Sequence, residues 1–84
     1  MAEVEVSTTP NPDALKFTLD VVLPAMINIS SPDGATTAFE REVMALDGVA
    51  NLFGVNDFVT VTRTPGVEWE PIVAGVRRAA KEHL

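Results

Sequence analysis

The side chains able to do chemistry in this sequence are few and far apart. Cysteine is absent, which removes thiolate nucleophiles, disulfides, thiolate zinc sites and the usual iron–sulfur ligation. The single histidine, His83, stands next to the C-terminal residue. A general base needs a proton to take within hydrogen-bond reach, and the sequence offers His83 neither an orienting group nor a nucleophile. Ser30-Ser31 and the threonines fit no nucleophile-elbow or triad pattern and read as turn and strand residues. Asp13, Asp33 and Asp57 fall in three separate turns, whereas a calcium loop needs carboxylates at alternating positions within about a dozen residues. No glycine-rich phosphate loop is present. The chemistry-bearing residues therefore describe a chain that binds rather than catalyses, with no cofactor and no metal centre.

Composition narrows the partners. The sequence carries 12 Asp and Glu against 6 Lys and Arg, a formal net charge of −6. Nucleic acid and anionic lipid both attract basic surfaces and are disfavoured; a protein with a basic patch is compatible. The 84 residues, 46% of them hydrophobic, suit one domain over residues 1–84. A domain of that size buries about 60% of the surface of its unfolded chain. Small secreted domains lean on disulfides, so a cysteine-free one is expected in the cytoplasm. The opening Met1-Ala2-Glu3-Val4-Glu5 is acidic where a targeting leader would be basic. The longest apolar stretch, Val21 to Ile27, is interrupted by Pro24 and too short to span a bilayer.

Hydrophobic periodicity supplies the elements. Val4, Val6 and Thr8 alternate with Glu3, Glu5 and Ser7, the period of a half-buried strand. Thr9-Pro10-Asn11-Pro12-Asp13 is a turn, because two prolines remove donors and hold their neighbours extended. Alternation resumes with Leu15, Phe17, Leu19 and Val21 on one face and Lys16, Thr18 and Asp20 on the other. Met26 to Ile29 is a short third strand, and Pro32-Asp33-Gly34 a second turn. Thr37 with Glu40 has capping-box spacing and opens a helix to about Asp47. Phe39, Val43 and Leu46 form its inner face, with Glu40, Arg41 and Glu42 in solvent, and Gly48 ends it. Val49 to Val55 is a fourth strand with Val49, Phe53 and Val55 directed inward around polar Asn51. Phe58 to Thr62 is a fifth, rich in β-branched residues. A last helix runs from about Glu70, with Pro71 in its first turn, Ile72, Val73, Val76 and Ala80 inside, and Trp69 at its start as a core anchor or lid for the sheet edge. The expected fold is α+β in two layers, β-β-β-α-β-β-α: about five antiparallel strands with both helices on one face.

Within this frame several ordered segments resemble one family. Thr9-Pro10-Asn11-Pro12, followed by Ala14-Leu15-Lys16-Phe17, is similar to the opening of the N-terminal domain of Nfu-type iron–sulfur cluster carriers. Leu46-Asp47-Gly48-Val49-Ala50-Asn51-Leu52-Phe53 resembles that domain's helix end and next strand. Asp57-Phe58-Val59-Thr60-Val61-Thr62-Arg63 resembles its following strand, and Trp69 with an amphipathic helix completes the likeness from roughly Ser7 to Ala80. Asp13 stands where the family often has asparagine. The family's carriers hold their cluster on a Cys-x-x-Cys pair in a second, C-terminal domain, which would begin where this sequence stops, at Leu84. The resemblance thus implies the accessory role: contact with iron–sulfur assembly factors or recipient apoproteins, without cluster ligation.

The expected contact surface is the sheet face turned away from the helices, carrying Lys16, Thr18, Thr60 and Thr62, with the Asn11-Pro12-Asp13 turn beside it and Arg63 at the end of the fifth strand. An edge strand open to β-augmentation is a second mode. The competing readings are a general adaptor or structural domain with no cluster role, and a weak iron binder using carboxylates.

Overall fold

The chain reverses between its first two strands through side-chain bonds rather than a glycine. In the computed structural model, which describes residues 2–84, the Asn11 side-chain oxygen accepts from the Asp13 N–H at 2.9 Å. The Ala14 N–H donates to the Asn11 carbonyl at 3.1 Å, and the Thr9 hydroxyl donates to the Ala14 carbonyl at 3.0 Å. This turn joins β1 (Val4–Thr8) to β2 (Ala14–Leu19). Then follow β3 (Ile27–Ile29), a 3₁₀ turn (Pro32–Gly34), α1 (Ala38–Met44), β4 (Val49–Val55), β5 (Phe58–Arg63) and α2 (Trp69–His83). The sheet order is β1-β2-β5-β4-β3, with every pair antiparallel.

The core lies between the sheet and the two helices. Phe17, Leu52, Val59 and Val61 project from the sheet and are fully buried. Phe39, Val43 and Met44 from α1 and Ile72, Val76, Ala79 and Ala80 from α2 join them in one cluster. Trp69 is half-buried and packs on that cluster. The architecture is the expected α+β one, with five antiparallel strands and two helices.

Two details depart from expectation. Phe53 does not point into the core. Leu52 and Gly54 face inward, and Phe53 and Val55 lie on the opposite face, half-buried. The cause is a bulge: between Val49↔Arg63 and Asn51↔Thr62, β4 advances two residues while β5 advances one. The bulge carries Val49 onto the core and leaves Asn51, Phe53 and Val55 outside. Gly54 fits because a Cβ there would stand 2.9 Å from both Leu23 Cδ1 and Val59 Cγ1, closer than packed atoms approach.

Glu40, expected in solvent, is buried. Its backbone N–H donates to the Thr37 hydroxyl oxygen at 3.2 Å, the cap anticipated from the spacing. The reciprocal bond goes one residue further out. The Glu40 carboxylate accepts from the Thr36 N–H at 2.9 Å and from the Thr36 hydroxyl at 3.2 Å, so the side chain folds back along the entering chain. α1 stops at Met44 with Ala45 as its cap, short of the expected end at Gly48. In the turn into β4 Gly48 has φ +89, and a Cβ there would run into the Val67 side chain. Only glycine meets both demands.

Candidate functional site

Cross-strand register places the outer face of the sheet residue by residue. One row runs across all five strands: Ser7 opposite Lys16, Lys16 opposite Thr60, Thr60 opposite Phe53 and Phe53 opposite Asn28. The adjacent row runs Glu5, Thr18, Phe58, Val55. Thr62 pairs with Asn51 beyond the first row. Lys16, Thr18, Thr60 and Thr62 therefore share one surface, as the alternation required. The Lys16 ammonium sits 4.6 Å from the centre of the Phe58 ring, within cation–π range.

This surface is more apolar than its threonines suggest. Phe53, Val55 and Phe58 are half-buried rather than enclosed, and sequence reasoning did not place them here. Phe58 was legible, since it alternates with inward Val59 and Val61. Phe53 was legible only from Asn51, a polar residue in the same phase two positions earlier. Aromatic rings beside a cation and hydroxyls can bury area and orient a partner.

The remaining expected contacts lie elsewhere. Asn11, Pro12 and Asp13 form the turn leading into Ala14, which pairs with Thr62, so they adjoin one end of the outer face. Asn11 and Asp13 are committed to internal bonds. Arg63 alternates with Val59 and Val61 and belongs to the helix side. Its Nε donates to Asp13 Oδ1 at 3.2 Å and its Nη1 to the Val67 carbonyl at 2.8 Å. Its guanidinium lies 5.0 Å from the centre of the Trp69 ring. Arg63 thus ties the first turn, the fifth strand and the start of α2 together. The structure separates it from Lys16 rather than joining the two on one surface.

His83 has a partner that sequence order conceals. Its Nε2 contacts Glu42 Oε2, bringing the end of α2 to α1, and lies 3.9 Å from Glu82 Oε2. The donor atoms of Glu42, Glu82 and His83 all fall within 4.8 Å of one another. Such oxygen and imidazole ligands suit a hard or borderline divalent ion. They do not suit an iron–sulfur cluster, which is held by thiolates. A groove of about 390 Å³ runs between β3 and the start of α1, lined by Leu23, Met26, Ile27 and Phe39 among others. Among the described residues, no helix is long and apolar enough to cross a membrane.

Residues 4–84 match the protein family described as "Scaffold protein Nfu/NifU N terminal". The NifU-like protein C1709.19c of Schizosaccharomyces pombe is 33% identical over 81 residues, covering 90% of this chain and 31% of that protein. The mitochondrial NifU-like protein 4 of Arabidopsis thaliana is 32% identical over 72 residues, covering 80% of this chain and 25% of its own length. The chain thus spans less than a third of these curated relatives. The crystal structure of protein SAV1430 from Staphylococcus aureus superposes with a TM-score of 0.78 at 26% identity, covering 92% of this chain and 96% of that one.

Proposed function

This chain belongs to the Nfu/NifU scaffold N-terminal family, and from that membership we propose that it serves iron–sulfur cluster biology as a non-catalytic protein-interaction module. Its partners in this reading are iron–sulfur assembly factors or recipient apoproteins, met in a reducing compartment, in the first instance the cytoplasm. The observation that carries the reading is the outer sheet face, where Phe53, Val55 and Phe58 stand among Lys16 and a set of threonines. Aromatic anchors edged by polar groups are how protein interfaces concentrate their binding energy. The Asn11–Asp13 turn would frame one end of that contact.

The test is calorimetric binding to the iron–sulfur proteins that co-purify with the chain under reducing conditions. The double substitution Lys16→Glu with Phe58→Ala is expected to weaken binding by at least about tenfold, since one aromatic hot spot is commonly worth about 2 kcal/mol. Unchanged affinity in a folded double variant rules out this face. Co-purification of proteins none of which carries a cluster favours a general adaptor instead.

Cluster ligation is expected to be absent. Anaerobic reconstitution with iron and sulfide should leave no stoichiometric brown chromophore after desalting, because no thiolate is available. A stable chromophore at one cluster per chain defeats this part of the reading. The weaker alternative, iron held by carboxylates, has Glu42, Glu82 and His83 as its only cluster of donors among the described residues.

A further inference from the structure

The helix layer carries a charged feature unrelated to the outer sheet face. Arg77, Arg78 and Lys81, half of the 6 Lys and Arg in the chain, gather in the second half of α2. They wall a concavity of about 230 Å³ completed by Ala2, Glu3 and Val4. Its floor is apolar, since Ala2 and Val4 are buried in the core. Arg77 is held in place, its Nη1 donating to the Val4 carbonyl at 2.8 Å. Among the described residues, none of these cations lies within ion-pair distance of a carboxylate, although acids outnumber bases 12 to 6. Glu3 is the one acid on the rim. Its backbone N–H donates to Asp20 at 3.0 Å, and its side chain pairs with none of the cations.

Cations near a helix C-terminus offset its dipole, and that explains their place along α2. It does not explain why they surround a hollow and remain unpaired on an acidic domain. We propose that this concavity docks an acidic segment of a partner protein, whose carboxylates reach Arg78 and Lys81 around the fixed Arg77. Nucleic acid is disfavoured, since its affinity comes from neutralising a run of phosphates with Lys and Arg and this hollow offers only Arg77, Arg78 and Lys81. Anionic membrane calls for clusters of about 4–8 Lys and Arg. A small basic hollow on a chain of net charge −6 meets neither requirement. A short carboxylate-bearing segment needs attraction only at contact range, and screening over about 8–10 Å mutes the acids beyond. Guanidinium groups also take carboxylates through paired hydrogen bonds.

The experiment uses a fluorescein-labelled glutamate-rich peptide and its glutamine counterpart, with anisotropy and amide chemical shifts as readouts. The glutamate peptide is expected to bind saturably, more weakly as salt rises, and to shift amides around residues 2–4 and 77–82. Arg78→Glu with Lys81→Glu should weaken it by at least about tenfold through lost charge complementarity. Both side chains are exposed, so the variant should keep its fold. Lys16→Glu, on the opposite layer, should leave binding unchanged, which separates this site from the outer-face reading. Equal binding of the glutamine peptide, equal loss from Lys16→Glu, or no saturable binding overturns the proposal. So does concentration-dependent dimerisation abolished by the same double reversal, which assigns the hollow to a second copy of the chain.

Discussion

Phe17→Ala is expected to lower the unfolding free energy by about 3–5 kcal/mol, the range for truncating an enclosed aromatic. Phe53→Ala is expected to cost about 1 kcal/mol. The two residues have the same side chain and both lie on inner strands of one sheet. Phe17 is fully buried between Val59 and the helices, so its removal leaves a cavity. Phe53 lies outside opposite Thr60, where the loss is a cross-strand contact worth about 0.2–1 kcal/mol. A small domain has only about 5–15 kcal/mol in hand, so the Phe17 variant should be partly unfolded near room temperature. Urea melts of both variants decide the matter. Equal losses would place Phe53 in the core and remove the aromatic anchor from the proposed binding face.

Arg63→Glu should be the second most damaging change among those considered, at about 2–3 kcal/mol, although Arg63 is a charged residue at a strand end. The guanidinium loses a charge-assisted bond to the Val67 carbonyl, a class worth about 1.5–3 kcal/mol. Its contact with the Trp69 ring adds about 0.5–1 kcal/mol. The Asp13 pair, partly open to solvent at 22% and 32%, contributes about 0–1 kcal/mol. These groups share one side chain, so their contributions do not simply add. The new carboxylate would also face Asp13. Lys16→Glu, which loses only its contact with Phe58, should stay within about 0.5 kcal/mol. Thermal melts of the two variants should therefore separate by about 6–24 °C, given about 4–8 °C per kcal/mol for a domain of this size. Coincident melts would mean that Arg63 is free.

What the sequence disclosed depended on the range of each signal. Alternation over Leu15 to Leu19 and the Thr37 to Glu40 spacing are local, and both elements form as read. The phase of β4 was hidden because one extra residue near Ala50 reverses the inside and outside assignment beyond it. Hydrophobicity could not resolve that phase, since Leu52 and Phe53 are both apolar. Asn51 was the only witness. Arg63 was within reach of the same alternation that placed Val59 and Val61, but its bonds to Asp13 and Val67 depend on how the chain returns. Contacts such as His83 with Glu42, or Arg77 with Val4, join positions distant in the chain and leave no periodic trace. The four outward residues Lys16, Thr18, Thr60 and Thr62 were legible. The apolar residues around them and the basic hollow on α2 were not.

The bond from Arg77 to the Val4 carbonyl bears on how the molecule keeps its sheet to itself. An edge strand offers unpaired carbonyls and amides to any neighbouring chain, and growth by strand addition ends in fibres. Here one border of the sheet has its first carbonyl already occupied by a guanidinium, and the other border, β3, is only three residues long. A protein displaying phenylalanine on an open sheet face would be at special risk if its borders were also receptive. Occupying one border at its start and keeping the other short, while leaving the face open, favours adhesion through side chains over strand addition, so that sticking to a partner is less apt to become a template for polymer.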